Sequence, residues 1–294
     1  VLAALRTVRS NRLGIHDLRL PDGADPFEVL DRLRATGLVE FAEENTLGSW
    51  LADPGDALYA AQWPLDNDGQ TGGLAGADID CDLAWDITTG DPSIVVAVID
   101  SGVEILHEDL VDGMWKNLGE IPGNAIDDDQ NGFVDDYDGW DFFNDDPDVN
   151  GTHFHGTFVA GLIGARTNNL IGVAGVAGGF AGGGSRLMPL GIGDGYPLGS
   201  VVDDAIIYEA DNGARVINIS FGVAQSATMD AAIAYAHDSH AVFFAAAAGN
   251  TPVSAVLYPA NHPLVVSVPG TNSTDSPAHF SVAGPENWVA APAK

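Results

Sequence analysis

The sequence predicts an α/β protein in which a parallel sheet is covered by helices on both faces. A continuous, mostly β-branched run at 94–99 is typical of a parallel strand that is buried on both sides. Similar apolar runs follow at 186–190, 215–219, 242–247 and 264–268, and helical patterns lie between them at 155–165, 200–212 and 228–238. Because strands and helices alternate along the chain, a parallel sheet is favoured.

A small α+β unit is predicted ahead of this sheet, over residues 1–45. Residues 15–20 alternate between apolar and polar side chains, which predicts a strand. Asp25 and Pro26 supply an N-cap and a first helical residue, so we expect a helix to begin there. A second strand is expected at 38–42.

Residues 46–60 are predicted to form a linker to a larger domain over 61–294. The linker carries Gly48, Pro54 and Gly55, which favour turns over helix or strand. A chain of 294 residues is long enough for one large α/β domain and one small one.

The composition excludes several classes of partner. With 11 basic and 42 acidic residues the formal net charge is −31, and no surface for nucleic acid or an anionic membrane can be built from that balance. No stretch approaches the roughly 18 apolar residues of a membrane span. We therefore expect neither a nucleic-acid partner nor membrane association. The acidic residues are clustered as well as scattered, which favours calcium loops on a highly soluble surface.

Two residues are placed for acid–base chemistry. Asp100 directly follows the predicted strand at 94–99, where open α/β sheets form their ligand crevice, and a carboxylate there can accept an imidazole N–H. His155 begins a predicted helix and is a candidate general base. His153 is a rival two residues earlier, and His155 is preferred because the Gly-Thr that shapes the helix start follows it directly. Taken singly, each residue is explained equally well as a residue that only caps a helix or a turn.

A third candidate is Asn250, which follows the small residues at 245–249 at the end of a predicted strand. Its side-chain amide is suited to donate to a developing oxyanion, although an ordinary Gly-Asn turn is the simpler explanation of the pair alone.

Together, Asp100, His155 and Asn250 occur in an order and with flanks that resemble the subtilisin-like serine proteases, the subtilases. The resemblance covers roughly 61–294 and implies that Asp100 orients His155, that His155 is the base and that Asn250 is the oxyanion donor. It also implies walls for the first specificity pocket, formed by Ser220, Phe221, Gly222, Ala247, Ala248 and Gly249. Residues 1–45 resemble the end of the inhibitory propeptide of that family.

The chain departs from the family pattern at three points. Phe158 stands where a second His is usual, and Phe154 replaces the usual Gly before the catalytic His. The nucleophilic Ser belongs in a Gly-Thr-Ser segment, and neither Ser220 nor Ser281 has those flanks. We therefore expect a fragment that stops short of the nucleophile and is inactive and poorly packed by itself.

An acidic segment predicts a calcium loop. Asp127, Asp129 and Asn131 fall on positions 1, 3 and 5 of such a loop, with Gly132 at position 6. The remaining ligands would be the carbonyl of Phe133 and the carboxylates of Asp135 and Asp138. A solvated acidic loop is the alternative.

A second calcium site is implied by the resemblance alone. Its ligands would be Gln62, Asp109, Thr167, Asn169, Ile171 and Val173, of which Thr167, Ile171 and Val173 contribute carbonyl oxygens. A plain Asn-rich turn at 167–173 is the alternative.

The expected protein is thus a secreted, monomeric, calcium-stabilised serine endopeptidase that acts on polypeptides and is controlled by its own propeptide. A pseudoprotease scaffold and a calcium-dependent extracellular binding protein are the alternatives. Retention of Asp100, His155 and Asn250 together argues against both.

Overall fold

The computed structural model describes residues 5–10, 12, 14–21, 23–43, 53–151, 153–180 and 182–293. The chain divides into two compact units, Val1–Trp50 and Leu51–Lys294. Residues 46–52 of the predicted linker lie outside the described residues, whereas 53–60 belong to the larger unit. In the described part of the chain, no helix has both the length and the apolar character needed to cross a membrane.

The smaller unit contains an antiparallel pair and one helix: β1 (Arg6–Ser10), β2 (His16–Arg19) and α1 (Pro26–Ala35). Asp25 caps the helix as predicted, because its Oδ1 accepts the N–H of Phe27 at 2.9 Å. The predicted strand at 38–42 is wrong, since this segment is irregular. β2 pairs with β1 instead, and the Arg34 guanidinium binds the Ala42 carbonyl at 2.6 and 3.1 Å.

The larger unit is built on a six-stranded sheet in the order β4-β5-β3-β6-β7-β8, with every neighbouring pair parallel. The strands are β3 (Val95–Asp100), β4 (Trp140–Asp141), β5 (Arg186–Gly191), β6 (Ala214–Ile219), β7 (Phe243–Ala247) and β8 (Val265–Val268). The five predicted strands are confirmed. The two-residue edge strand β4 has no apolar run and could not be predicted.

Among the described residues of this unit, four helices accompany the sheet: α2 (Cys81–Trp85), α3 (His155–Gly164), α4 (Val202–Asp211) and α5 (Ala227–His240). The three longer ones match the predicted helices. Single 3₁₀ turns occur at Tyr59–Ala61 and Val111–Gly113, and a separate parallel pair joins β9 (Gly270–Thr271) to β10 (Ala291–Pro292).

Both faces of the sheet carry a core, because side chains alternate along each strand. On β3, Val96 and Val98 pack into a cluster that includes α3. Ala97 and Ile99 face the opposite cluster, which includes α4 and α5. This arrangement confirms the predicted sheet with helices on both faces.

The strand order places a crevice at one point of the sheet. From β3 the chain continues through α3 to β5 on one side, and β6 then lies on the other side of β3. Where the strand order reverses in this way, the loops diverge at the carboxyl ends of the strands and leave room for a ligand. The carboxyl end of β3 is Asp100.

Candidate active site

Asp100 and His155 meet at this crevice. The Nδ1 atom of His155 lies 2.7 Å from Oδ1 and 2.9 Å from Oδ2 of Asp100. With Nδ1–H donating to the carboxylate, the lone pair of the imidazole is on Nε2. The ring is thereby held in the tautomer that a general base requires.

Burial and charge reinforce this pair. The side chain of Asp100 is 4% exposed and that of His155 is 41% exposed, so the carboxylate is shielded while the imidazole reaches solvent. The Ser101 N–H donates to Asp100 Oδ1 at 2.8 Å. The hydrogen bond to Asp100 raises the pKa of His155, partial burial opposes that shift, and the negative charge of Asp100 adds to it.

A cavity of about 160 Å³ opens beside the pair. Residues at the carboxyl ends of three adjacent strands line it, together with His153 and His155. They are Asp100 and Ser101 at the end of β3, residues 192, 193 and 195–197 after β5, and Ser220 and Phe221 after β6. The cavity thus lies at the topological switch point of the sheet, which is where a substrate is expected to bind.

The other predicted pocket residues occupy the neighbouring strand ends. Ala247 ends β7, and the Ala248 N–H donates to the carbonyl of Val268 at 3.1 Å. Asn250 is exposed just beyond this point. Asn250 therefore follows β7, whereas Asp100 is at the end of β3, and only β6 lies between these two strands in the sheet.

Leu257 lies between the two predicted walls, and sequence reasoning did not find it. A Cβ placed on Gly222 would come within 2.7 Å of Leu257 Cδ1, and one placed on Gly249 within 3.0 Å of Leu257 Cγ. The N–H of Leu257 donates to the Ala248 carbonyl at 3.0 Å, which fixes this segment against one wall. The side chain of Leu257 therefore narrows the space between the walls.

The acidic segment brings three carboxylates together. Ligand oxygens of Glu120, Asp127 and Asp129 all lie within 4.8 Å of one another. Like charges at that separation repel, and a divalent cation would relieve the repulsion through the oxygen ligands that calcium prefers. The residues present therefore fit a calcium ion. Glu120 precedes the twelve-residue pattern, so the pattern gave no signal for it.

Other predicted ligands of this loop are engaged elsewhere. Asp138 forms an ion pair with Lys116. Asp135 accepts the N–H groups of Asn124 and Ala125 at 3.0 and 2.8 Å. The twelve-residue pattern could not predict these contacts, because their donors belong to Lys116, Asn124 and Ala125, which precede the pattern in the sequence.

Asn131 and Phe133, two other predicted ligands, instead connect the loop to the interior of the protein. The Asn131 amide donates to Asp136, a fully buried residue, at 2.9 Å. The ring of Phe133 lies 4.9 Å from that of Tyr208 in edge-to-face contact. Asp136 was not among the predicted residues, although it holds the loop in place.

The residues of the second predicted site also converge. Asp109 is 1% exposed, and its carboxylate accepts the Asn169 amide at 2.8 Å and the Val173 N–H at 2.9 Å. Gln62 exchanges hydrogen bonds with the backbone of Ala174 at 2.7 and 2.9 Å.

Two more predicted ligands lie in the same turn. Thr167 is buried and donates to the Gly175 carbonyl at 2.9 Å, and the Ile171 N–H donates to Asn169 at 2.7 Å. Asp56, a buried residue of the predicted linker, accepts the N–H groups of Asn168 and Asn169 at 2.6 and 3.0 Å. The buried carboxylates of Asp56 and Asp109 thus hold this turn by accepting N–H groups from 168–173.

Comparison with known proteins agrees with this geometry. A model for the subtilase family matches residues 91–294. The halolysin-like extracellular serine protease Nep of Natrialba magadii is 35% identical over 86% of this chain and 42% of its own length. The thermophilic serine proteinase of Bacillus sp. (strain AK1) is 34% identical over 89% of this chain and 56% of its own length. The chain spans about half the length of these curated relatives.

The fold is shared as well. A solved protease from Pseudoalteromonas arctica matches with a TM-score of 0.62 at 30% identity, covering 82% of this chain and 72% of that one. Sequence, fold and the Asp100–His155 pair lead to one conclusion: the chain belongs to the subtilase family of serine endopeptidases.

Proposed function

We propose that the whole protein hydrolyses peptide bonds in polypeptides by serine-type catalysis through an acyl-enzyme. The observation that carries this proposal is the bond from His155 Nδ1 to Asp100, made beside a cavity at the switch point of the sheet. Asp100 orients the ring and stabilises the imidazolium, while His155 Nε2 takes the proton of the attacking hydroxyl and later gives it to the leaving amine.

The nucleophile is proposed to be a serine that the 294 residues do not include, so that this chain by itself does not complete the reaction. Ser220 lines the cavity, but its Oγ accepts the Asn218 amide at 2.9 Å and it lacks the Gly-Thr flank. We assign Ser220, Phe221 and Gly222 with 247–249 to the substrate walls. Asn250 is assigned to the oxyanion.

Calcium is proposed to stabilise the fold at two places. The first is the group of Glu120, Asp127 and Asp129, and the second is the turn around Asp109 and Asn169. Bound calcium would neutralise clustered carboxylates at each. These residues are assigned no part in the chemical step.

We further propose that the protein is secreted, acts as a monomer and is inhibited by residues 1–45 before maturation. A relative named as an extracellular protease supports secretion. The division of the chain into two compact units, the first ending at Trp50, supports a propeptide of this kind. Residues 1–45 added in trans to the mature enzyme should inhibit it, and a lack of inhibition would remove this part of the proposal.

The decisive experiment uses the whole protein and two matched variants. Casein hydrolysis and labelling by a fluorophosphonate should both be present in the wild type, absent in His155→Ala and unchanged in His237→Ala. His237 is exposed on α5, and its ring bonds to the neighbouring Asp238. Hydrolysis that survives in His155→Ala, or a wild type that folds and binds calcium without hydrolysis, would favour a binding scaffold instead.

A further inference from the structure

The first turn of α3 is capped in an unusual way. The opening N–H groups of a helix have no partner inside the helix and need acceptors from outside. The N-cap residue Phe154 supplies no side-chain acceptor. The N–H of His155 instead donates to Nδ1 of His153 at 3.3 Å, and the N–H of Gly156 donates to Oγ of Ser101 at 3.1 Å.

These two acceptors are tied to each other and to Asp100. The Ser101 hydroxyl donates to the carbonyl of His153 at 3.1 Å, and the Ser101 N–H donates to Asp100 Oδ1 at 2.8 Å. With the bond from His155 to Asp100, the contacts form a closed ring of hydrogen bonds. The backbone that carries His155 is therefore held by the residues that also hold its carboxylate partner.

We propose that His153 is a positioning residue for the His155 base. Its Nδ1 atom fixes the first residue of α3, and the ring must then be the tautomer with its proton on Nε2. The inference rests on the proposed function, because positioning matters for catalysis only where His155 is the base.

The surroundings of His153 fix the orientation of its ring. The imidazole is half-buried and lies 4.7 Å from the ring of Phe154, tilted by 31°. The Cδ2 atom of His153 also lies 3.6 Å from the position of a Cβ on Gly195. With these two neighbours, the ring presents Nδ1 to the backbone N–H of His155. The ring centroids of His153 and His155 are 6.3 Å apart.

Two substitutions in the whole protein distinguish the role of the Nδ1 acceptor of His153 from the role of its ring. His153→Asn keeps an acceptor at the position of Nδ1, because Asn Oδ1 has a similar reach, but removes the ring. His153→Phe keeps the ring against Phe154 but removes the acceptor. We expect His153→Phe to lower kcat by about 10-fold to 100-fold with little change in KM, since a misplaced base slows chemistry rather than binding. His153→Asn should stay within about threefold of the wild type.

The opposite pattern would overturn the proposal. If both variants lose kcat equally, or if both raise KM while kcat is kept, His153 acts through its ring or on the substrate and not through Nδ1. Unchanged kcat in His153→Phe would also overturn it. His155→Ala tests the base separately, so an active His155→Ala would refute the proposed function rather than the role of His153.

A measurement on the wild type does not depend on whether the variants fold. Nitrogen-15 chemical shifts of the His153 ring at neutral pH should show an unprotonated Nδ1 and a protonated Nε2. In the same sample, the His155 Nδ1 proton should show the low-field resonance of its bond to Asp100. A His153 ring protonated on Nδ1 would contradict the proposal whatever the kinetics.

Discussion

The hydroxyl of Tyr208 donates to Oδ2 of Asp136 at 2.6 Å. Tyr208 belongs to α4 in the main core, and Asp136 is a fully buried residue of the acidic loop. Burial and the bond to Asp136 both raise the pKa of Tyr208. The proposed calcium loop is therefore attached to the core through a side-chain bond as well as through the ring of Phe133.

Tyr208→Phe should destabilise the purified protein by about 1–3 kcal/mol, because it removes one of the two side-chain donors to a buried carboxylate oxygen and leaves only the Asn131 amide. Urea unfolding followed by circular dichroism measures this change. Tyr235→Phe is a matched control, since the Tyr235 hydroxyl donates to Asp211 over the same 2.6 Å but in an exposed setting. Its effect should be much smaller, because water can replace the exposed bond. Equal effects of the two substitutions would show that burial of the bond is unimportant.

Asp100→Asn should lower the pKa of His155. The bond to Asp100 raises that pKa above the ordinary 6.5, so the folded state holds the proton more tightly than the unfolded state. The stability from this group is therefore complete below pH 6.5 and is lost as the pH rises through the raised pKa. NMR titration of the ring follows the shift. Asp238→Asn, which removes a carboxylate beside another histidine, should leave His155 unchanged, and an unshifted pKa in Asp100→Asn would show that Asp100 does not cause the rise.

Glu209→Met should stabilise the protein at neutral and alkaline pH. Glu209 is fully buried in α4, and in the described part of the chain neither of its side-chain oxygens has a hydrogen-bond partner. Burial raises its pKa well above 4.5, so the folded state keeps a proton that the unfolded state releases. Stability then falls as the pH rises beyond 4.5.

Glu209→Met should raise the free energy of unfolding by about 1–3 kcal/mol at pH 8 and by less near pH 4.5, as measured by urea unfolding at both pH values. Glu108→Met, at an exposed position, should show no such pH-dependent gain. A Glu209→Met protein that is less stable than the wild type at pH 8 would mean that the carboxylate has a favourable partner.

Calcium removal should lower Tm, and Glu120→Gln should reduce that calcium-dependent difference by about 5–10 °C. Asp138→Asn should reduce it much less, because the Asp138 carboxylate pairs with Lys116. Scanning calorimetry with calcium and with a chelator compares the three proteins. If Asp138→Asn reduces the calcium-dependent difference in Tm as much as Glu120→Gln does, the twelve-residue pattern describes the ligands better than the group of Glu120, Asp127 and Asp129.

Leu257→Gly should widen substrate preference in the whole protein. Because Leu257 lies between Gly222 and Gly249, the wild type should favour small side chains before the scissile bond. The ratio of kcat/KM for a Phe substrate to that for an Ala substrate should rise about 10-fold in the variant. Val253→Gly, on the exposed part of the same loop, should leave the ratio unchanged. An unchanged ratio in Leu257→Gly would place the specificity pocket elsewhere.

The sheet and its long helices could be predicted because burial on both faces leaves a strong local signal. The strand at 95–100 has no polar position before Asp100, and α3 begins at the predicted residue. The strand expected at 38–42 failed because an apolar segment becomes a strand only when it pairs with another strand, and in the described residues β2 pairs with β1. Local pattern therefore predicts which segments are apolar better than it predicts which of them pair.

The sequence alone determined the parallel sheet, the placement of Asp100 and His155 at its crevice and the acidic character of the loop. Each of these is indicated by short local segments: an apolar run, a residue at a strand end or helix start, and a run of acidic residues. Only the tertiary structure decided that Glu120 joins Asp127 and Asp129, that Asp138 binds Lys116 and that Leu257 lies between the pocket walls. Those contacts join segments brought together by packing, and no local period or spacing records which side chains will meet there.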